Sequence, residues 1–308
     1  MMVSYMVSVV RVVKKPLLSG WALLSIALWW VEGCAPSSEE AQDRHKMDTV
    51  YAVPWEQVEA YMKAAPSPVQ VALWLRQEKV PFMRKALHDP TLAGKYAGLQ
   101  GAANLGIYLT DMAYAHATEN YQDAYEYLSS VNRLAARYGV DDILSVDRIR
   151  LLDKLQDQPD SAQKLLSQYY GELQERLEEM GQQAMLRHMI LGGWIESLHI
   201  ALVLVEHDSS KQQVAQLISL QKSLLPLIKK LYAVDSASYA ASRQILTYLG
   251  ELETAFQDVK VEAAPAATAV DNKGVIQMRF RETQSLSPKQ VSAIKAPLQK
   301  LRQFVIQS

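Results

Sequence analysis

The residues best placed to carry chemistry are Glu196 and His199, which form an E-x-x-H pair. In a helix, this spacing places both side chains on one face. Di-iron helical bundles use two such pairs and two further glutamates, but this chain has a single pair, and His116 and Glu119 occur in the reversed order. We therefore expect Glu196 and His199 to be core residues whose polar atoms are hydrogen-bonded. The alternative is a metal-dependent or pocket enzyme that uses both residues.

A second group of polar side chains comes from an earlier segment, in which Asp111 stands between Tyr108 and Tyr114. A carboxylate buried among tyrosines needs hydrogen-bond partners. It could line a polar pocket, although a structural hydrogen-bond network is the first expectation. Together with the E-x-x-H pair, these residues make the candidate polar pocket Tyr108, Asp111, Tyr114, Glu196 and His199.

No motif of known chemistry adds a residue to these candidates. The sequence contains no G-x-S-x-G, no H-E-x-x-H and no phosphate-binding loop, which are the signatures of common hydrolases, zinc proteases and nucleotide-binding proteins. We therefore assign no catalytic residue, no metal ligand and no cofactor from the sequence.

The segment that carries Asp111 is predicted as a helix from Leu92 to about Thr118. It contains Gly94, Gly98, Gly101 and Gly106. Each glycine costs about 1 kcal/mol relative to alanine in a helix interior. Four of them indicate a helix that its neighbours approach very closely, so we expect it at the centre of the fold.

The segment that carries Glu196 is Met189–Val205, which is apolar nearly all round. Such a pattern is typical of a buried core helix, and the run is short for a membrane span. The Gly192–Gly193 pair inside it is a natural site for a kink or a close helix contact.

The rest of the chain predicts an all-α fold. Apolar residues recur at helical spacing in successive segments, which indicates a multi-helix bundle of roughly ten helices with short connections. We assign the bundle to residues 49–260, and a linker, a strand and a C-terminal helix packing on the bundle to residues 261–308. Alternating apolar and polar residues over Ile276–Arg281 are typical of a strand. Pairing with Val259–Val261 would give one short β-hairpin near the C-terminus.

Charge disfavours nucleic acid as a partner. The chain has 32 basic and 33 acidic residues, for a formal net charge of −1, and nucleic-acid-binding proteins carry a basic surplus. The one cysteine, Cys34, excludes an intramolecular disulfide.

The N-terminus has the composition of a secretion signal. Arg11, Lys14 and Lys15 precede the apolar run Leu17–Val31. A positively charged end followed by an apolar stretch of this kind is the signal-peptide arrangement.

The end of that run, Val31-Glu32-Gly33-Cys34, resembles the lipobox of bacterial lipoproteins, with Val31, Gly33 and Cys34 at the matching positions and Glu32 departing from the usual small residue. The resemblance implies that residues 1–33 are a signal peptide and that the Cys34 sulfur carries two acyl chains, such as palmitate. Two acyl chains anchor a protein stably to a membrane.

Residues 34–48 are polar and are predicted to be a flexible tether. Ala35 follows the cysteine where an aspartate would imply inner-membrane retention. We therefore expect the protein to be anchored in the outer membrane of the cell envelope. It could face either the periplasm or the cell surface.

The mature chain resembles the uncharacterised all-helical lipoproteins of Bacteroidota in Asn104–Asp111, Tyr125–Leu128 and Gly192–Glu196. The resemblance implies fold and location, and no reaction. We expect a non-catalytic binding or accessory protein that acts on an unknown envelope protein or small ligand. A second alternative is a peptide-binding adaptor, because the pattern around Tyr114–Tyr138 resembles one tetratricopeptide unit, although such an array needs at least three repeats.

Overall fold

The computed structural model describes residue 56 and residues 65–155, 157–207, 212–233, 240–259, 268–270, 276–278 and 286–307. The predicted signal peptide, Cys34 and the tether lie outside these residues.

Helices make up most of the described part of the chain, which confirms the predicted all-α multi-helix bundle. The α-helices are α1 (Pro68–Gln77), α2 (Gly98–Ala117), α3 (Tyr121–Arg137), α4 (Val146–Lys154), α5 (Pro159–Glu179), α6 (Gln183–His207), α7 (Gln212–Ala233), α8 (Ala240–Ala255) and α9 (Pro288–Gln307). Short 3-10 helices occur at Arg84–Ala86, Pro90–Lys95 and Asp141–Leu144.

The first helix begins at a capping box, in which a side chain and a backbone group on each of two residues bond reciprocally. The Gln70 backbone N–H donates to Ser67 Oγ at 3.2 Å, and the Ser67 N–H donates to Gln70 Oε1 at 2.8 Å. Pro68 occupies the first helical position, where its missing N–H has no consequence. This box fixes the entry of α1 beside the central helices.

The centre of the bundle is the pair α2 and α6, which touch backbone to backbone. A Cβ atom added to Gly106 would lie 1.9 Å from the Met189 carbonyl oxygen, and one added to Gly192 would lie 1.9 Å from the Ala103 carbonyl oxygen. Only glycine fits at such a distance. The predicted close approach is therefore confirmed at these two positions.

The predicted helix Leu92–Thr118 is wrong at its start. Pro90–Lys95 forms a separate 3-10 helix, and α2 begins at Gly98, whose φ is +52°. A left-handed residue cannot continue a right-handed helix. Gly98 therefore starts a new helix instead of lying inside one.

α6 is long and apolar enough, by length and composition, to cross a membrane, but 89% of its most apolar window is buried inside the fold. Burial of this extent is the arrangement of a core helix. The structure therefore agrees with the prediction of a core helix.

A short antiparallel hairpin is present, as expected, but with a different partner strand. β1 (Thr268–Val270) pairs with β2 (Ile276–Met278), with Ala269 opposite Gln277. The proposed partner residue Val259 instead lies just after α8, where its N–H donates to the Phe256 carbonyl at 3.0 Å. Val259 is 1% exposed, so its side chain is part of the hydrophobic core.

α9 packs against α8, α6 and α2. The predicted packing of a C-terminal helix on the bundle is therefore present, and it brings Arg302 to the centre of the fold.

Candidate functional site

The polar centre of the protein is an ion pair between α6 and α9. Arg302 Nε donates to Glu196 Oε2 at 2.7 Å, and Arg302 Nη2 donates to Glu196 Oε1 at 2.8 Å. The Glu196 side chain is completely buried. Burial by itself would raise the pKa of Glu196, but the charge and hydrogen bonds of Arg302 outweigh burial and hold that pKa below its ordinary value. Glu196 is therefore ionised in the core.

Asp111 of α2 is the second carboxyl group at this centre. It is completely buried, and its Oδ2 accepts a hydrogen bond from the backbone N–H of His88 at 3.0 Å. Burial, followed by the negative charge of Glu196, raises the pKa of Asp111 well above its ordinary value. Because two adjacent buried carboxyl groups cannot both ionise, Asp111 keeps its proton beside the ionised Glu196.

Neutral aromatic side chains surround this carboxyl pair. The His88 ring hydrogen-bonds through Nε2 to the Tyr96 hydroxyl at 2.9 Å and lies 5.3 Å from the Tyr108 ring, centroid to centroid. The Tyr127 hydroxyl donates to the His88 carbonyl at 2.9 Å. Burial, and then the charge of Arg302, lowers the pKa of His88 to about 4. His88 is therefore neutral near pH 7.

The two candidate tyrosines hold a neighbouring loop. The Tyr108 hydroxyl donates to the Asp89 carbonyl at 2.8 Å, and the Tyr114 hydroxyl donates to the Pro81 carbonyl at 2.6 Å. Tyr114 also accepts a hydrogen bond from the Met83 backbone N–H at 3.2 Å. Both hydroxyls therefore form hydrogen bonds with backbone groups of the segment between α1 and α2.

Of the five candidate pocket residues, the structure joins Asp111 and Glu196 directly. Tyr108 lies nearby, with its ring against the His88 ring. Tyr114 instead contacts the loop between α1 and α2. His199 is partly buried, and its pKa is lowered by burial, against the raising effect of Glu196.

A metal at this centre would have to break existing contacts. Both carboxylate oxygens of Glu196 accept hydrogen bonds from Arg302. Within the described residues, no three His, Cys, Asp or Glu side chains converge to hold a metal ion. The carboxyl pair is also closed to solvent, since Asp111 and Glu196 are both 0% exposed. The arrangement therefore acts as a structural network that ties α2, α6 and α9 together.

α6 also borders a cleft of about 210 Å³. Its walls come from the residues before and within α1, and from α5, α6 and α7. The lining residues are Ala65, Pro66, Ser67, Pro68, Gln70, Ser167, Tyr170, Gly171, Gln174, Ile190, Gly193, Trp194, Ser197, Gln221 and Leu224. Among the described residues, the walls carry serine, glutamine, aromatic, aliphatic and proline side chains, and no Asp, Glu, Lys, Arg or His.

Gln221 is the unusual residue of this cleft. Its side chain lines the space although the residue is only 2% exposed, and its Oε1 has no hydrogen-bond partner among the described residues. Its backbone carbonyl, in contrast, accepts a hydrogen bond from Trp194 Nε1 at 3.2 Å. A buried acceptor without a partner costs about 1–3 kcal/mol, and this Oε1 is closed to solvent.

Other polar groups of the cleft are fixed by local bonds. Ser197 Oγ donates to the Gly193 carbonyl at 2.8 Å, which leaves its lone pairs as acceptors. Burial raises the pKa of Tyr170 well above its ordinary value, against a hydrogen bond from Gln174 that lowers it. The Tyr170 hydroxyl therefore stays protonated and can donate.

Sequence reasoning missed Arg302 and Gln221. In α7, Gln221 falls between the buried residues Leu217 and Leu224 at helical spacing, so a polar residue on an apolar stripe was the signal that could have found it. Arg302 stands beside the buried stripe of α9, four residues after Leu298. Nothing in the sequence indicates that it meets Glu196.

The chain matches no known protein family, and neither the curated proteins nor the solved structures contain a significant match.

Proposed function

We propose that this protein is a lipid-anchored lipoprotein of the outer membrane that works by binding, as a non-catalytic accessory protein of the cell envelope. The lipobox-like sequence ending at Cys34 supports the anchor. The cleft between α1, α5, α6 and α7 is the binding site of this proposal.

The observation that carries the proposal is the cleft of about 210 Å³ between α1, α5, α6 and α7, whose described walls present serine, glutamine and tyrosine groups. The cleft also lies against α6, a rigid core helix, and binding sites are favoured where the walls are already formed.

An enzyme that uses Glu196 and His199 is the second candidate, and it has less support. Glu196 is completely buried and is bound by Arg302 through both oxygens. A substrate or a metal would have to displace a charged guanidinium from the core. The peptide-binding adaptor rests on the single helix pair α2 and α3, and no feature of the cleft favours it.

Cross-linking in the native envelope tests the proposal. The wild-type chain and Cys34→Ala are compared for membrane attachment and for molecules cross-linked to the protein. We expect the wild type to stay with the outer membrane and to recover a molecule in near-stoichiometric amount, and Cys34→Ala to lose both. If Cys34→Ala remains on the membrane with the same cross-links, the lipid anchor is wrong.

A further inference from the structure

We propose that a basic patch of three side chains, Lys95, Arg133 and Arg137, binds the phosphate groups of anionic phospholipids and turns this face of the protein toward the membrane. The inference goes beyond binding in the cleft. It rests on the lipid anchor of the proposed function, which brings the protein to a membrane but does not determine which of its faces the membrane meets.

Two arginines of α3 converge on one residue of the 3-10 helix that precedes α2. Arg137 Nη2 donates to the Gly94 carbonyl at 2.7 Å, and Arg137 Nη1 donates to the Tyr96 carbonyl at 2.5 Å. Arg133 reaches the same residue, because a Cβ atom added to Gly94 would lie 3.4 Å from Arg133 Nη1. Lys95 follows Gly94 directly, and all three basic residues are exposed. Three positive charges are therefore grouped at one place on the surface.

The two arginines have no carboxylate partner. Among the described residues, Arg133 forms no hydrogen bond or ion pair, and Arg137 bonds only to the two neutral carbonyls. The two stand at positions i and i+4 of one helix, where like charges destabilise. Arg148, in contrast, pairs with Glu172. An unbalanced pair of this kind is explained by an anion that comes from outside the chain.

The acids on the same face of α3 are engaged elsewhere. Arg84 pairs with Asp123 and Glu126 near the start of the helix. Glu126 precedes Arg133 by seven residues, which is about 10 Å along the helix axis. This separation is about one Debye length at physiological salt, so these acids neutralise the patch only weakly.

One further acid, Asp89, acts on the patch through its charge. Its carboxylate accepts hydrogen bonds from the Thr91 N–H at 2.9 Å and from the Thr91 hydroxyl at 2.8 Å. It interacts electrostatically with Lys95 but forms no ion-pair contact with it. One acid against three cations leaves the patch positive.

Phosphate is the anion that the patch fits. A planar guanidinium matches two phosphate oxygens. Arg133 has all its N–H groups available, and Arg137 keeps those that the two carbonyls do not use. The guanidinium of Arg137 is also fixed in place by its carbonyl bonds, so little freedom is lost when it meets an anion.

A membrane is the source of phosphate to which the anchor leads. Each Lys or Arg near an anionic membrane strengthens the attraction by about fivefold. The chain as a whole has a formal net charge of −1, so overall charge does not draw it to such a surface. On the tether predicted for residues 34–48 any face could meet the membrane, and this patch selects one.

The test uses the full-length, acylated protein reconstituted in vesicles. Ala136→Cys, an exposed position of α3 beside Arg137, carries a fluorophore, and a fraction of the lipids carries a quencher in the headgroup. The Cys34 sulfur is acylated in the proposed anchor and does not take the label. One set of vesicles is phosphatidylcholine alone, and the other contains phosphatidylglycerol. Flotation of the vesicles measures the anchor separately.

Two variants are compared in the labelled background. Lys95→Gln with Arg133→Gln removes two charges from the patch, and Lys154→Gln with Lys164→Gln removes two charges from exposed lysines of α4 and α5 as the matched control. We expect the ratio of quenched to unquenched label to rise at least about fivefold when phosphatidylglycerol is present. The patch variant should lose this rise, and the control variant should keep it.

The outcomes separate the patch from the anchor. A protein that floats with the vesicles but is quenched equally in both sets, or a patch variant that behaves like the control, would overturn the patch and leave the anchor standing. Release by inorganic phosphate, but not by sodium chloride of equal ionic strength, would assign the patch to free phosphate and overturn the lipid assignment. A protein that does not float refutes the anchor, and the inference falls with it.

Discussion

Glu196 of α6 and Arg302 of α9 form a buried, bidentate ion pair, with both hydrogen bonds between 2.7 and 2.8 Å. Because 106 residues separate the two along the chain, this contact holds the C-terminal helix against the core. Asp111 adds a neutral carboxyl group to the same centre. Three helices are therefore tied together at one polar point.

The first prediction concerns the ion pair itself. Arg302→Met should reduce the free energy of unfolding by about 3–5 kcal/mol, because it leaves Glu196 buried without an opposite charge. The double variant Glu196→Leu with Arg302→Met should recover most of that loss, since it removes both charges. Urea unfolding followed by circular dichroism measures both. A double variant no more stable than Arg302→Met would contradict the account of the pair.

The second prediction tests which carboxyl group holds the proton. Asp111→Asn should change the free energy of unfolding by less than about 1 kcal/mol near pH 7, because the amide can still donate to Glu196 and accept from the His88 N–H. Glu196→Gln should cost about 3 kcal/mol or more, because it leaves the charge of Arg302 unbalanced. Equal losses in the two variants would show that the proton is assigned to the wrong residue.

The same assignment predicts a pH dependence. The folded pKa of Asp111 is raised, so its neutral form contributes stability that is complete below the unfolded pKa and is lost as pH rises through the folded pKa. The amide in Asp111→Asn does not ionise. The stability of this variant should therefore fall less than that of wild type as pH rises above the ordinary value of 3.8, and parallel curves would contradict this.

Buried histidines predict a loss of stability in acid. The pKa values of His88 and His116 are lowered to about 4, and that of His188 to about 3, by burial first in each case. The stability that each neutral ring contributes is complete above the unfolded value near 6.5 and is lost as pH falls toward the folded pKa, at about 3 kcal/mol per residue.

His188→Phe isolates one of these groups, because it keeps a ring against Tyr232, whose centroid lies 5.4 Å away. The free energy of unfolding of the variant should depend less steeply on pH between 6.5 and 4 than that of wild type. Identical slopes would mean that His188 does not resist protonation in the fold.

The helix contact at the centre predicts a sharp difference between glycines. Gly106→Ala and Gly192→Ala should each cost several kcal/mol or prevent folding, because the new Cβ atom would meet a backbone oxygen at 1.9 Å. Gly250→Ala in α8 meets nothing within 4 Å and should stabilise by about 0.5–1 kcal/mol. Thermal unfolding of the three variants tests this, and a mild effect at Gly106 would contradict backbone contact.

Much of the fold could be predicted from the sequence, because it rests on local rules. Helical periodicity and the central role of Gly106 follow from short-range spacing. The start of α2 could not be predicted, because it depends on the positive φ that Gly98 adopts. The strand partner of Ile276 was predicted wrongly, because the composition of Thr268–Val270 is that of a linker and its pairing with Ile276–Met278 is a tertiary contact.

The candidate site was predicted less completely. The sequence indicated that Asp111 and Glu196 are buried and need partners. It could not indicate that they meet each other, because α2 and α6 are far apart along the chain. Arg302 and Gln221 take their roles from tertiary contacts alone.

Gln221→Met should raise the free energy of unfolding by about 1 kcal/mol in the absence of ligand, because it removes a buried acceptor that has no partner among the described residues. Gln216→Met should stay within about 0.5 kcal/mol of wild type. A destabilised Gln221→Met would mean that the acceptor is already satisfied.

The central claim is that the protein binds a molecule of its native envelope. Native mass spectrometry of the full-length protein, extracted gently from its own membrane, tests it most directly. We predict a non-covalent adduct of constant mass on the wild-type protein. The absence of any adduct would contradict the account.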